Sequence, residues 1–274
     1  WEMMRENTSE RDWMRRGLAL DVGPERQVYL SYSREHNVVP VPQIGARDVT
    51  SEVLGRYGRN YTVLCGHDPG QICDVTLVLK AYKIGQDPDP FWWVVDEITT
   101  ERTTTEEHLV ELVKTLRGNW GTNQIDYHGR PMADSDRAHV RIDPYGDSDN
   151  KTDKSVYQLF RHAGLDARSA AYKQGKGSGR VPKEAGIEMV SRLLCNANGK
   201  RRLFIATNPR GLPCAPKLVH AIEMAERDLE GKAETERKGS ADLSHWTAAL
   251  RYALYHLERR PTTLAELAEQ EAAR

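Results

Sequence analysis

The chain has 274 residues, of which 39% are hydrophobic and 29% charged, a composition ordinary for a globular protein. No run approaches about eighteen consecutive apolar residues and no apolar signal core follows the N-terminus, so neither a membrane span nor a membrane partner is expected. The 39 basic and 40 acidic residues give a net charge of -1, so bulk charge does not indicate a nucleic-acid partner, although basic residues segregated on one surface would be hidden in this sum.

Residues 1–60 are mixed and weakly patterned, and we expect them to be a linker or the remnant of a preceding domain. The chain begins at Trp1 instead of Met, which suggests a fragment of a longer protein. After residue 60, β-branched and aromatic residues predict three strands over 61–68, 73–82 and 91–98. Their short connections predict an antiparallel meander.

A helix follows the meander. Thr103 stands three residues before Glu106, the spacing of a capping box. An apolar stripe at helical spacing consists of Leu109, Leu112, Val113 and Leu116, and Gly118 closes the helix. Further strands are predicted near 138–143, 167–171 and 201–206, and helices near 153–163, 182–195 and 215–230, before a last helix that carries Leu243, Trp246, Leu250, Ala253 and Leu257 on one face. The order β-β-β-α-β-α-β-α-β-α-α predicts a mixed α/β sheet whose first three strands are antiparallel.

Three aspartates stand at the ends of predicted elements. Asp68 ends the first strand, Asp143 ends the fourth, and Asp242 begins the last helix. Groups at strand ends line the crevice where ligands bind in α/β sheets. The first and fourth strands are plausible neighbours in this order, and the last helix can pack across their ends. The structural alternative is that Asp68 only stabilises its turn and Asp242 only caps its helix.

Sparse carboxylates at one end of a sheet suit a hard divalent cation, which prefers oxygen ligands and substrate phosphate. Two such ions about 3.5–4 Å apart would stabilise the attacking and leaving oxygens in phosphodiester cleavage. The three aspartates therefore make a two-ion site a hypothesis worth testing.

Three segments resemble a known family. They read Cys65-Gly-His-Asp68-Pro-Gly70-Gln-Ile-Cys-Asp74-Val-Thr76, Ile142-Asp143-Pro144, and Ala241-Asp242-Leu-Ser-His245-Trp-Thr-Ala-Ala-Leu-Arg251-Tyr252. The first is similar to the Asp-x-Gly hairpin that opens the nuclease domain of tailed-bacteriophage terminase large subunits, the second to its metal-binding strand end, and the third to its closing motif. The likeness covers residues 61–258. Many relatives have a second Asp directly before Ala-Leu-Arg-Tyr, where this chain has Ala248.

The resemblance implies an RNase H-like fold, with the mixed sheet flanked by helices on both faces. It implies a nuclease domain over 61–260 and a charged tail over 261–274. Residues 1–60 would then link to, or belong to, an ATPase domain.

The resemblance also implies a metal-dependent endonuclease that cuts double-stranded DNA with little sequence specificity. Asp68, Asp143 and Asp242 would be catalytic and would hold two ions of Mg²⁺ or Mn²⁺. Further candidate ligands are Asp74, Asp147 and His245, the last lying one turn along the same helix face as Asp242. The run from Asp147 lacks the Gly and the distal Glu of an EF-hand loop, so calcium storage is not expected.

A basic loop is the candidate DNA contact. Lys173, Lys176, Arg180 and Lys183 are spaced by Gly and Ser, and a mobile basic loop can bind phosphates without reading sequence. Terminase nucleases carry a flexible loop or hairpin here, while the alternative is a surface loop with incidental charge. The run at 200–202, Lys-Arg-Arg, is expected to be a solvated strand start, and Trp92 and Trp93 are expected to face opposite sides of one strand.

No Walker pattern is present, because no Gly-Lys pair is followed by Ser or Thr. The family's ATPase motor would therefore lie N-terminal to residue 1. The partners that the resemblance implies are double-stranded DNA, that ATPase domain, the terminase small subunit and the portal protein. The implied location is the cytoplasm of the infected bacterial host.

Three other interpretations remain open. Another RNase H-like nuclease, such as a Holliday-junction resolvase or a strand transferase, is disfavoured by the Ala-Leu-Arg-Tyr ending. An actin-like nucleotide-binding fold would need a second phosphate hairpin, which the sequence lacks. A non-catalytic DNA or protein interaction module would have structural acids and show neither metal-dependent stabilisation nor cleavage.

The four cysteines, Cys65, Cys73, Cys195 and Cys214, include no Cys-x-x-Cys pair. This spacing favours a reducing compartment and argues against a disulfide framework or a zinc ribbon. A metal cluster of Cys65, His67 and Cys73 is conceivable, but buried thiols on strands explain the cysteines equally well.

Overall fold

One sheet organises the part of the chain that the structure, a computed structural model, describes: residues 27–40, 63–70, 73–82, 90–120, 138–142, 156–169, 183–227 and 243–258. Its strands are β1 (Val38–Val39), β2 (Leu64–Asp68), β3 (Cys73–Tyr82), β4 (Phe91–Glu101), β5 (His139–Ile142), β6 (Asp166–Ser169) and β7 (Leu203–Ala206). The helices are α1 (Arg34–Asn37), α2 (Thr105–Trp120), α3 (Val156–His162), α4 (Lys183–Leu194), α5 (Pro216–Met224) and α6 (Ser244–Glu258).

The strand order is β1-β7-β4-β3-β2-β5-β6. Strands β2, β3 and β4 form an antiparallel meander, and β5, β6, β7 and β1 join in parallel pairs on either side of it. The predicted mixed α/β sheet is confirmed, and the three strands predicted first, which are β2, β3 and β4, are antiparallel. The strands predicted as first and fourth are β2 and β5. They pair directly, so the prediction that they are neighbours is confirmed as well.

Both faces of the sheet are covered by helices. Side chains alternate along each strand, so Trp92 joins the core under α4, α5 and α6, while Trp93 joins the core under α2 and α3. The predicted opposite orientation of the two tryptophans is confirmed, and both are buried. Covering on both faces explains why the strands read as nearly continuous apolar runs.

The capping box of α2 lies one residue later than predicted. The hydroxyl of Thr104 accepts a hydrogen bond from the Glu107 backbone N–H at 3.3 Å, and the Glu107 carboxylate accepts one from the Thr104 backbone N–H at 2.9 Å. The expected pair, Thr103 and Glu106, has the same spacing. Three consecutive threonines before two glutamates leave this choice open in the sequence.

Residues 27–40 contribute an edge strand and a helical turn, neither of which was predicted from the sequence. Tyr29 is fully buried, and Asn37 donates hydrogen bonds from its amide to the carbonyl oxygens of Leu194 and Leu203 at 3.0 and 2.9 Å. Strand β1 pairs with β7 through Val38 and Val39. Tertiary contacts therefore define these short elements, which are too short to leave a periodic pattern.

The basic run before β7 is not the solvated strand start that we expected. Arg201 donates hydrogen bonds to the Ser31 and Leu194 carbonyl oxygens and to the Asn37 side chain. Arg202 is buried and donates to the Pro90 carbonyl at 3.1 Å. Both arginines therefore stabilise the fold, because each donates hydrogen bonds to backbone carbonyl oxygens of distant segments.

None of the four cysteines forms a disulfide in the structure. Cys65 and Cys73 lie in cores on opposite faces of the sheet, so they cannot share an ion with His67. Within the described ranges, no helix is both long and apolar enough to cross a membrane.

A buried polar chain runs under α2. The Thr76 hydroxyl lies 2.9 Å from Nδ1 of His67 and 2.7 Å from Nε2 of His108, whose Nδ1 lies 2.8 Å from the Thr100 hydroxyl. Burial lowers the pKa of His108 to about 4. It also lowers the pKa of His67 well below its usual value, and the neighbouring His108 adds to this effect.

These buried histidines predict that the protein becomes less stable in acid. The unfolded chain binds protons near pH 6.5 while these folded histidines do not, so their contribution to stability is present above pH 6.5 and lost as the pH falls toward 4. Each histidine should lower the free energy of unfolding by about 1.4 kcal/mol per pH unit within that window. Urea unfolding at pH 7, 6 and 5 measures the slope, which His108→Gln should reduce. Parallel pH profiles for wild type and His108→Gln would contradict the prediction.

Candidate metal centre

The ends of several strands meet at one edge of the sheet, which we call the active edge. Strand β2 ends there with Asp68, and β5, parallel to β2, ends there with Ile142. Strand β3, antiparallel to β2, begins there with Cys73. The pairing aligns Ile142 with His67, so residues 68 and 143 follow two paired positions.

Asp68 is held by a histidine 177 positions away in the sequence. Nδ1 of His245 lies 2.6 Å from Oδ2 of Asp68, the length of a strong charge-assisted hydrogen bond. The Asp68 residue is only 7% exposed. His245 is the second residue of α6, which packs across β2, β3 and β5 and so places its first turn over the end of β2.

Two glycines allow this close approach. A Cβ on Gly66 would lie 1.9 Å from the Ala249 carbonyl oxygen and 2.9 Å from Cβ of Ala253. A Cβ on Gly70 would lie 2.8 Å from Cε1 of His245 and 2.5 Å from the Cys73 carbonyl oxygen. The first glycine lets α6 lie against β2, and the second leaves room for the imidazole beside Asp68.

Asp74 is a second buried acid at this edge. Its Oδ1 accepts a hydrogen bond from the Gly70 backbone N–H at 3.0 Å, and the residue is 4% exposed. Burial raises the pKa of Asp74, and the negative charge of Asp68 raises it further, whereas the Gly70 N–H, the Thr105 hydroxyl and His245 oppose the shift. A cation bound nearby would therefore stabilise the ionised carboxylate.

The other predicted site residues are partly outside the described ranges. Asp143, Asp147 and Asp242 lie outside them, as do Lys173, Lys176 and Arg180. Lys183 is the exposed first residue of α4. Of the candidate ligands that the structure describes, Asp68 and His245 are in direct contact. Asp74 lies close enough for the charges of both to shift its pKa.

No motif in the sequence predicted a lysine beside this site. Nζ of Lys217 lies 3.2 Å from Oε1 of Glu101 and 5.4 Å from the ring centroid of Trp246, the residue after His245. The carboxylate of Glu97 fixes the start of α5, accepting hydrogen bonds from the backbone N–H groups of Lys217 and Leu218 at 2.9 and 3.0 Å. Burial raises the pKa of Glu97, and these two donors oppose that shift.

No protein-family model and no curated protein sequence matches the chain significantly. Solved structures do: the large terminase of the thermophilic bacteriophage D6E has a TM-score of 0.56 at 18% identity, over 93% of this chain and 51% of that one. The P22 large terminase nuclease domain has a TM-score of 0.50 at 12% identity, over 85% of this chain and 94% of that one. The nuclease domain of the bacteriophage SPP1 large terminase with bound Mn has a TM-score of 0.42 at 13% identity, over 80% and 96%.

The D6E and P22 structures show that this chain has the fold found in phage large terminases and, for P22, in the nuclease domain itself. At these identities the likeness establishes the fold alone. The chain spans about half the length of the D6E protein.

Proposed function

We propose that this chain is a metal-dependent endonuclease that cleaves double-stranded DNA with little sequence specificity. The observation that carries the proposal is the buried Asp68 carboxylate, hydrogen-bonded to His245 at the active edge. The fold shared with the P22 nuclease domain supports the same activity. The position of this pair at the shared end of β2 and β5, beside the buried Asp74, favours a ligand role over a structural one.

Covalent connectivity supports the two further aspartates as partners of Asp68. Asp143 follows Ile142, whose strand position is paired with the residue before Asp68. Asp242 precedes Leu243 and is three residues from His245, so their Cα atoms are at most about 11 Å apart. We therefore propose that Asp143 and Asp242 complete the site, with Asp74 and Asp147 as further candidate ligands.

The donor groups fit a hard divalent ion. Carboxylate oxygens from Asp68 and Asp74 are the ligands that Mg²⁺ and Mn²⁺ accept. Within the described residues, no three His, Cys, Asp or Glu side chains could hold an ion by themselves. The proposal of two ions therefore requires Asp143 and Asp242.

The chain's own residues supply orientation and charge. His245 donates from Nδ1 to Oδ2 of Asp68 and so fixes the rotamer of that carboxylate. Burial of Asp68 and Asp74 in a low-dielectric edge strengthens their attraction for a cation. Divalent ions bound there would supply an activated water and stabilise charge on the scissile phosphate.

The biological setting is part of the proposal. Since the chain spans about half of the D6E large terminase, we propose that it acts beside an ATPase domain during viral genome packaging. Its proposed partners are the terminase small subunit and the portal protein, and its proposed location is the cytoplasm of the infected host.

Metal dependence tests the proposal directly. Supercoiled plasmid should be nicked and linearised in Mg²⁺ or Mn²⁺ and remain intact in excess EDTA. Mn²⁺ should raise the melting temperature, because an ion that binds only the folded chain stabilises it. At an ion concentration a hundred times the dissociation constant, the free energy of unfolding should rise by about 2.7 kcal/mol. A well-folded protein that neither cuts DNA nor responds to either ion would be an interaction module instead.

A further inference from the structure

The turn over residues 207–213 is held rigidly by one side chain. Oδ1 of Asn208 accepts hydrogen bonds from the backbone N–H groups of Arg210 and Leu212 at 2.9 and 3.1 Å. The Asn208 backbone pairs with Leu212 and Gly211 at 2.8 and 2.9 Å, and Gly211 has a φ of 76°. The conformation at Gly211 suits glycine alone without strain. The turn is thus preorganised independently of any partner.

Two side chains of this turn are exposed. Leu212 is 58% exposed, and the exposed guanidinium of Arg210 makes no hydrogen bond or ion pair with the described residues. A rigid backbone that presents an unpaired guanidinium beside an apolar side chain is typical of a recognition surface. The segment from 207 to 213 reads Thr-Asn-Pro-Arg-Gly-Leu-Pro and contains no acid.

The turn follows a strand that runs toward the active edge. Strand β7 is parallel to β4, and β4 and β2 are both antiparallel to β3, so β7 and β2 run in the same direction. Strand β7 ends one residue after Ile205, which pairs with Val94, whereas Asp68 aligns through Val75 with Thr99. The two strand ends are therefore about 14 Å apart across the sheet and about 13 Å apart along it. Lys217 lies between them, since its Nζ contacts Glu101 at the end of β4 and the ring of Trp246 beside His245.

We propose that the 207–213 turn and Lys217 form a contact surface for duplex DNA on the β7 side of the cleavage site. This inference rests on the proposed nuclease function. Arg210 and Lys217 bind backbone phosphates, and Leu212 packs against sugar and base edges in the minor groove. The surface includes none of the basic residues at 173–183, and it positions the scissile strand over Asp68.

Binding of a fluorescent 30-base-pair duplex in EDTA, measured by anisotropy across a KCl series, tests the surface without cleavage. Arg210→Ala should weaken binding roughly three- to tenfold and lower the log–log salt slope by about 0.9. Leu212→Ser should weaken binding without changing the slope, because it removes no charge. In Mg²⁺, both variants should raise KM for cleavage more than they lower kcat.

Matched controls are available on α2, which covers the opposite face of the sheet. Lys114→Ala removes an exposed charge, and Val110→Ser removes an apolar side chain that is 64% exposed. Neither should change affinity or slope. If neither Arg210→Ala nor Leu212→Ser weakens DNA binding, the inference is overturned and the proposed function stands. If the wild-type protein neither binds nor cuts DNA, both the proposed function and the inference are overturned.

Discussion

Replacing Asp68 by asparagine should abolish metal-dependent DNA cleavage while leaving the fold intact. Asparagine keeps the size of the side chain and an oxygen that can accept the hydrogen bond from Nδ1 of His245, so the local packing is preserved. The charge that attracts a divalent ion is lost. We expect the cleavage rate to fall at least about a thousandfold, which corresponds to about 4 kcal/mol of transition-state stabilisation. Single-turnover plasmid nicking in Mn²⁺ measures this loss, and far-UV circular dichroism checks the fold.

The chain contains a closely matched control for this substitution. Oδ2 of Asp166 lies 2.6 Å from Nδ1 of His139, the same atoms at the same distance as in the Asp68–His245 pair. That pair lies at the starts of β5 and β6, at the edge of the sheet opposite Asp68. Asp166→Asn should therefore change stability without changing the cleavage rate. Full activity in folded Asp68→Asn protein would exclude the proposed site.

Replacing Gly66 by alanine should destabilise the protein strongly. The new Cβ would lie 1.9 Å from the carbonyl oxygen and 2.8 Å from the carbonyl carbon of Ala249, both backbone atoms. Relief requires α6 to move away from β2, and this helix carries a large share of one core. We expect the free energy of unfolding to fall by about 3 kcal/mol or more, as measured by urea unfolding.

Gly118→Ala is the control for the added methyl group. Gly118 lies on the exposed surface of α2, and a Cβ there would meet nothing within 4 Å. Alanine is favoured over glycine in a helix by about 1 kcal/mol, so this variant should be slightly more stable than wild type. A cost below about 1 kcal/mol for Gly66→Ala would mean that α6 does not lie as close to β2 as described.

The order of strands and helices after residue 60 could be predicted because its signals are local. Alternation along β2, β3 and β4, and helical spacing along α2 and α6, depend only on which face each side chain must bury. The pairing of β2 with β5 also followed from the element order. Residue-level detail was less secure, as the one-residue shift of the capping box to Thr104 and Glu107 illustrates.

The candidate site was predictable only in part. Asp68 and His245 could be selected from motifs, but nothing local says that they touch, since 177 positions separate them. The roles of Gly66 and Gly70 were invisible because they depend on how closely α6 approaches the sheet. Lys217 has no motif at all, and its position beside Trp246 arises from the packing of α5.

The sequence by itself determined the class of sheet and a short set of acids to examine, because hydrophobic periodicity and turn residues act over a few positions. Only the tertiary structure decided which groups meet at the active edge, that Arg201 and Arg202 serve the fold, and that residues 27–40 add a strand. The physical reason is the same in each case. These contacts join segments far apart in the chain, and their free energy comes from burial and hydrogen bonding that no single segment can provide alone.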